Sequence, residues 1–175
     1  MVYVVTGGPG FGKTTVINHL ASLGFSVGAE QAREVLSSVP GNVTPTGGPV
    51  FPADFERIVA LARLNFLNSI EPGIIAFSDR GLPDQVAYSW FKNKKPSDFI
   101  VEMVRSVRYS RQVFVTPPWK EIYVEDLIRN ENFEEALIIH KLILRSYRQY
   151  GYETIDLPLT SPELRVQFIR NFLGI

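Results

Sequence analysis

The run Gly7-Gly8-Pro9-Gly10-Phe11-Gly12-Lys13-Thr14-Thr15 restricts this chain more than any other stretch. It follows the apolar segment Val2-Tyr3-Val4-Val5 and leads into Val16-Ile17-Asn18-His19-Leu20, so strand, glycine loop and helix succeed one another. The spacing G-x-x-x-x-G-K-[ST] in that setting is a P-loop. Glycines at 7, 8, 10 and 12 let the backbone wrap closely and turn its N–H groups toward phosphate oxygens. The helix after Gly12 brings the positive end of its dipole to the same spot. Lys13 would bridge the terminal phosphates, and the Thr14 hydroxyl would ligate Mg²⁺. The predicted nucleotide cradle is therefore Gly8, Pro9, Gly10, Phe11, Gly12, Lys13, Thr14 and Thr15.

Composition narrows what surrounds that loop. A chain of 175 residues with 45% apolar content can bury a real core as one domain, residues 1–175. Eighteen basic and eighteen acidic side chains cancel, so no global field draws it to nucleic acid or membrane. The absence of cysteine excludes disulfides, thiolate metal sites and a cysteine nucleophile. The N-terminus enters a strand at once, without a basic and apolar leader, and no run approaches bilayer length. The expectation is a soluble, cytoplasmic protein.

Apolar periodicity predicts a helix over 12–23, with Val16, Ile17, Leu20 and Leu23 on the sheet, and a second strand at 25–28. A short helix is expected over 31–38. The segment Pro40 to Pro52 holds four prolines, three glycines and two threonines and reads as a long loop, a lid or a disordered stretch. A helix from about Asp54 to Ser69 should turn Phe55, Ile58, Val59, Ala62, Phe66 and Ile70 inward. Further strands are expected at 74–78, 112–115 and 152–155. Helices are expected at 83–91, 97–107, 119–130 and 133–150, and one more begins at a Thr160–Glu163 capping box, burying Leu164, Val166, Phe168, Ile169 and Phe172. Five strands alternating with helices imply a doubly wound, parallel α/β sheet. Ligands then belong at the carboxyl ends of the strands, on the loops after Val5, Gly28, Ser78, Val115 and Ile155.

The polar residues that could do chemistry lie on those loops. Asp79 stands where P-loop proteins keep a second acid near the magnesium, or else it caps the following helix. Arg80 beside it suits an anion contact, because an arginine tucked under a sheet needs one. Glu30 is either the carboxylate that accepts a proton from an attacking hydroxyl or an acidic first-turn residue. Arg33 is either its helix-face partner or an anion contact. Tyr123, Asp126 and Arg129 share one helix face, in a lid over about 119–133 or on a solvated helix. Asn93-Lys94-Lys95-Pro96 fails as a guanine-reading N-K-x-D element, since proline stands where the aspartate belongs. His19 and His140 lie far apart on predicted helices and do not suggest a metal site.

Taken together, the P-loop within Val4 to Thr15, the segment Glu30 to Leu36, Asp79-Arg80-Gly81-Leu82-Pro83-Asp84, Pro117-Pro118-Trp119, the Tyr123-Asp126-Arg129 helix and Gly151-Tyr152 resemble the NadR/AAA-type P-loop domain family over nearly the whole chain. That family is similar to ribosylnicotinamide kinase domains and to nucleoside and nucleotide kinases. The resemblance implies a three-layer α/β/α fold with a five-stranded parallel sheet in the order 2-3-1-4-5. It implies Glu30 as the base, Asp79 and Arg80 as the metal and acceptor pair, Arg129 as a lid arginine and Asp84 as a further acceptor contact. Lys13, Glu30, Asp79, Arg80 and Arg129 form the expected catalytic set, with Glu30, Arg33, Arg80 and Asp84 on the substrate and Thr14 with Asp79 on the metal.

The function expected from these residues is transfer of the ATP γ-phosphoryl group, with Mg²⁺, to a hydroxyl of a nucleoside-like or other small metabolite. The alternative is a nucleotide-dependent regulatory NTPase whose Pro40–Pro52 loop reorganises with nucleotide state.

Overall fold

The computed structural model describes residues 1–30, 54–123 and 131–175. Five strands, β1 (Val2–Thr6), β2 (Ser26–Gly28), β3 (Ala76–Asp79), β4 (Gln112–Val115) and β5 (Glu153–Asp156), pair in parallel in the order β2-β3-β1-β4-β5. Their alternating side chains serve two helix layers. Val2, Val4, Ala76 and Val113 face one core, and Tyr3, Val5, Phe77 and Phe114 face the other.

The second of these cores is closed by α1 (Lys13–Ser22) and α6 (Pro162–Leu173). The first lies under α2 (Phe55–Ser69), α3 (Leu82–Phe91), α4 (Asp98–Ser106) and α5 (Phe133–Gln149). The result is a three-layer α/β/α sandwich around a five-stranded parallel sheet. Sheet order reverses at β1: Val5 sits beside Asp79 on one side and Phe114 on the other. The P-loop leaves β1 at this switch point, where a crevice opens beyond the strand ends.

Several local expectations shift. Leu23 ends as the exposed C-cap of α1 rather than on the sheet. On α2 the buried line is Val59, Ala60 and Arg63, while Ile58 is exposed. The cap of α6 is Ser161, whose side chain accepts from the Leu164 amide, with Pro162 in the first turn. Leu164, Phe168 and Phe172 are exposed, and Val166 and Ile169 lie inside, three residues apart on the face that meets the sheet. In place of the helix expected from 119, the described part holds a short 3₁₀ turn, Lys120–Ile122. The helix expected over 31–38, the Pro40–Pro52 loop, Arg33, Asp126 and Arg129 lie outside the described residues. Among the described residues no helix is long and apolar enough to cross a membrane.

Candidate active site

The P-loop is shaped by glycines that the backbone needs. Gly7, Gly10 and Gly12 have φ of 138°, 79° and 81°, a region that side chains disfavour. Close packing adds to this at the start of the loop. A Cβ on Gly7 would meet the Thr116 carbonyl at 2.5 Å, and one on Gly8 would meet the Ala136 carbonyl of α5 at 2.7 Å. Gly12 is the N-cap of α1 and supplies no side chain to its first amides, and the first turn carries no acid. Those amides and the dipole are thus directed at whatever anion enters the loop. Phe11, by contrast, points inward: it is fully buried against His140, Phe133 and Tyr123, with ring centroids 5.7, 6.0 and 6.3 Å away.

Lys13 lies along the loop, its Nζ donating to the Gly8 carbonyl at 2.7 Å. Burial pulls its pKa from 10.5 to about 7. The Arg80 charge adds to the fall, while Asp79, Glu30 and Asp84 oppose it. A triphosphate is the kind of partner that restores such a charge.

Asp79 is the last residue of β3, and Gly81 takes the N-cap position of α3. Capping therefore does not account for Asp79. Its Oδ2 accepts from the Thr14 hydroxyl at 3.4 Å, whereas Oδ1 is buried with no hydrogen-bond partner among the described residues. Burial raises its pKa; Lys13 and Arg80 pull the other way, while Glu30 and Asp84 add to the rise. A hydroxyl next to a buried carboxylate with a free oxygen fits Mg²⁺, which commonly takes one or two protein oxygens plus phosphate and water. Among the described residues no cluster of three or more His, Cys, Asp or Glu could hold a metal by itself.

Arg80 joins the two sides of the crevice. Its Nε donates to Glu30 Oε1 at 3.3 Å, and its Nη1 donates to Asp84 Oδ1 at 3.0 Å and to the Gly7 carbonyl at 3.2 Å. The guanidinium also lies over the Tyr88 ring, 5.4 Å from its centroid. Its backbone is left-handed, φ 70°, which costs a non-glycine residue roughly 1–3 kcal/mol. The ladder bond from the Arg80 amide to the Val5 carbonyl and the Ser78 hydroxyl on the Arg80 carbonyl hold it there. Glu30, at the end of β2, faces the same guanidinium and remains partly open to solvent.

Asp84 has a different setting from the acceptor contact expected of it. It is fully buried, and its two oxygens receive Thr6 Oγ1 at 2.7 Å, the Tyr147 hydroxyl at 2.6 Å, the Gly81 amide at 2.9 Å and Arg80 Nη1. Burial alone would raise its pKa, but Arg80 and Arg63, the Gly81 amide and Tyr147 together bring it below the ordinary value. Both oxygens accept from groups within the protein, and Arg80 is the one among them that also borders the crevice.

The residues that the sequence reading missed come from distant elements. Tyr147 on α5 reaches Asp84, and a Cβ on Gly81 would stand 2.7 Å from the Tyr147 hydroxyl. Arg63 on α2 donates to the Gly81 carbonyl at 2.9 Å. His140 on α5 accepts from the Gly8 amide. Arg165 on α6 donates to the carbonyls of Phe11 and Pro158 and stacks over Trp119 at 4.9 Å. One signal was available. The buried stripe of α5, Ala136, Ile139, His140, Ile143 and Tyr147, contains polar side chains at core positions.

Known proteins agree with this architecture. A family model described as "AAA domain" matches residues 2–165, and the chain belongs to that family. No curated protein matches it. A NadR protein solved in complex with NR superposes with a TM-score of 0.72 at 19% identity over 99% of this chain; the chain spans 51% of that one, about half its length. A deoxyadenosine kinase from M. mycoides with bound dATP gives 0.68 at 16% identity, with all of both chains covered. A thymidylate kinase from Ehrlichia chaffeensis gives 0.63 at 14% identity, covering 99% of this chain and 98% of that one. At these identities the likeness is one of fold.

Proposed function

We propose that this member of the AAA domain family is an ATP-dependent kinase that transfers a phosphoryl group to a hydroxyl of a nucleoside-like or other small metabolite. The observation that carries the reading is the Arg80 guanidinium, which touches the P-loop carbonyl of Gly7 and the Glu30 carboxylate from one buried position. An attacking nucleophile must be oriented and must lose its proton as the P–O bond forms, and Glu30 held on Arg80 across from the loop suits that task for the hydroxyl of a second molecule.

In this mechanism the loop amides of residues 10–14 and the Lys13 ammonium bind the phosphate chain and neutralise its charge. Mg²⁺, held by Thr14 and Asp79, would supply further charge neutralisation at the phosphates. Arg80 stabilises charge on the transferring group and sets the direction of the Glu30 carboxylate. Glu30 accepts the hydroxyl proton, and Asp84 keeps Arg80 in place through a buried ion pair. Arg33 and Arg129 belong to the same proposal, as an acceptor contact and as an arginine that covers the phosphates.

The test is incubation with ATP, Mg²⁺ and a panel of nucleosides and vitamins, with phosphorylated product followed by mass. One member of the panel gaining a phosphoryl mass is expected; slow hydrolysis with no phosphorylated acceptor would instead indicate a regulatory NTPase. Glu30→Gln should retain ATP binding and lose roughly a hundredfold or more in transfer rate. Unchanged kcat in that variant would move the base role to Asp79.

A further inference from the structure

We propose that His140 is a positioning residue for nucleotide binding, its Nδ1 fixing the Gly7–Gly8 peptide at the start of the loop so that the Gly7 carbonyl stays on Arg80. This rests on the reading of the loop as a nucleotide cradle.

A single peptide plane is gripped at both edges. Its carbonyl, on Gly7, accepts from Arg80 Nη1 at 3.2 Å, and its N–H, on Gly8, donates to His140 Nδ1 at 3.3 Å. The following carbonyl, on Gly8, accepts from Lys13 Nζ at 2.7 Å. Glycines on both sides of that plane give it little resistance to rotation of their own. Rotation of that plane would take the Gly7 oxygen away from Arg80 and the Gly8 N–H out of line together. The backbone of α5 limits the loop on one flank, since the Ala136 carbonyl lies against Gly8. One turn further along, His140 provides the directional bond.

The chemical type of the acceptor matters. A carboxylate at position 140 would sit close enough to Lys13 to compete with phosphate for its charge. An imidazole accepting at Nδ1 carries its proton on Nε2 and is neutral. Burial, with Lys13 and Arg148 adding to it against Asp156, brings the His140 pKa down to about 4. The edge contact with Phe11, itself part of the loop, fixes the ring orientation.

Titration calorimetry with Mg·ATP on the wild type, Lys13→Ala, His140→Phe and His140→Asn tests this, with thermal midpoints measured alongside. His140→Phe keeps an aromatic ring but orphans the Gly8 amide, and its affinity should fall about tenfold. His140→Asn offers Oδ1 in the place of Nδ1 and should return affinity to within about threefold of wild type. A packing role alone would not be rescued by the smaller amide. His140→Phe binding like wild type, with Lys13→Ala binding lost, overturns the His140 proposal and leaves the cradle intact. Lys13→Ala binding like wild type overturns the cradle reading itself. Should His140→Phe not fold, ¹⁵N spectra of the wild-type histidines decide: an unprotonated Nδ1 at pH 7 that shifts on adding Mg·ATP is expected, and a protonated Nδ1 overturns the proposal.

Discussion

The two halves of the crevice are built from different materials. The phosphate side is almost all backbone: one loop of consecutive residues, glycines in left-handed conformations and the uncapped start of α1. The side around Arg80 is almost all side chain, with Thr6, Arg63, Asp84 and Tyr147 arriving from β1, α2, α3 and α5. A site made of backbone holds an anion wherever the chain can curl, and its one essential side chain can be removed without harm to the fold. A site made of buried charges is part of the core, so its residues carry stability as well as function.

Four measurements separate these two behaviours. The largest effect is expected of Lys13→Ala, which should abolish turnover, a loss beyond roughly a thousandfold, because the charge aimed at the phosphates is gone. Its thermal midpoint should not fall, since a buried ammonium held down to about pKa 7 contributes no stability of its own at neutral pH. Full activity would refute the P-loop assignment. Next, Asp84→Asn leaves Arg80 buried without its carboxylate and should cost about 3–5 kcal/mol in urea unfolding. Asp84 has a pKa below 3.8 in the folded state, so its contribution is complete above that pH and is lost as pH falls through the folded value. The gap between wild type and Asp84→Asn should therefore close in acid; a gap unchanged at low pH would mean that the charge is not what stabilises the corner.

Smaller again, Tyr147→Phe removes a 2.6 Å bond to that carboxylate and should cost about 2 kcal/mol. A neutral result would confine the network to Arg80 and Thr6 and weaken the contrast between the two halves. The smallest effect concerns pH on the phosphate side. With Lys13 near pKa 7 in the free protein and charged in the complex, Mg·ATP affinity should weaken up to about tenfold per pH unit above neutrality, or about 1.4 kcal/mol. Calorimetry in two buffers at pH 8 should accordingly report proton uptake on binding, and Lys13→Ala should eliminate it. Proton-neutral binding would show that the free lysine is already charged.

Legibility in the sequence followed the same division. Gly7 to Thr15 could be read outright because each requirement is local: a φ that glycine supplies, a helix start and a lysine one residue further on. The parallel direction of the strands belongs with it, since a β-strand that feeds a helix returns parallel and right-handed, whereas the order 2-3-1-4-5 is what the family resemblance implies. Asp84 illustrates the opposite case. Nothing in Asp79-Arg80-Gly81-Leu82-Pro83-Asp84 distinguishes an aspartate that meets a substrate from one whose oxygens are saturated by Tyr147, 63 positions further on. The outward turn of Leu164, Phe168 and Phe172 is a similar lesson, because which face of a helix lies on the sheet is set by its packing there and α6 buries Arg165, Val166 and Ile169.

By itself, then, the sequence determined that a P-loop leaves the end of β1 and that acids and arginines lie on the neighbouring loops. Local backbone geometry and strand-helix alternation suffice for both. Only the tertiary structure decided which of those residues meet. It joined Arg80 to Glu30 and Gly7, enclosed Asp84 beneath them and brought His140 against the Gly8 amide. Apart from the Arg80–Asp84 pair, four positions apart, these contacts join residues 50 to 132 positions apart, and no spacing along the chain encodes them.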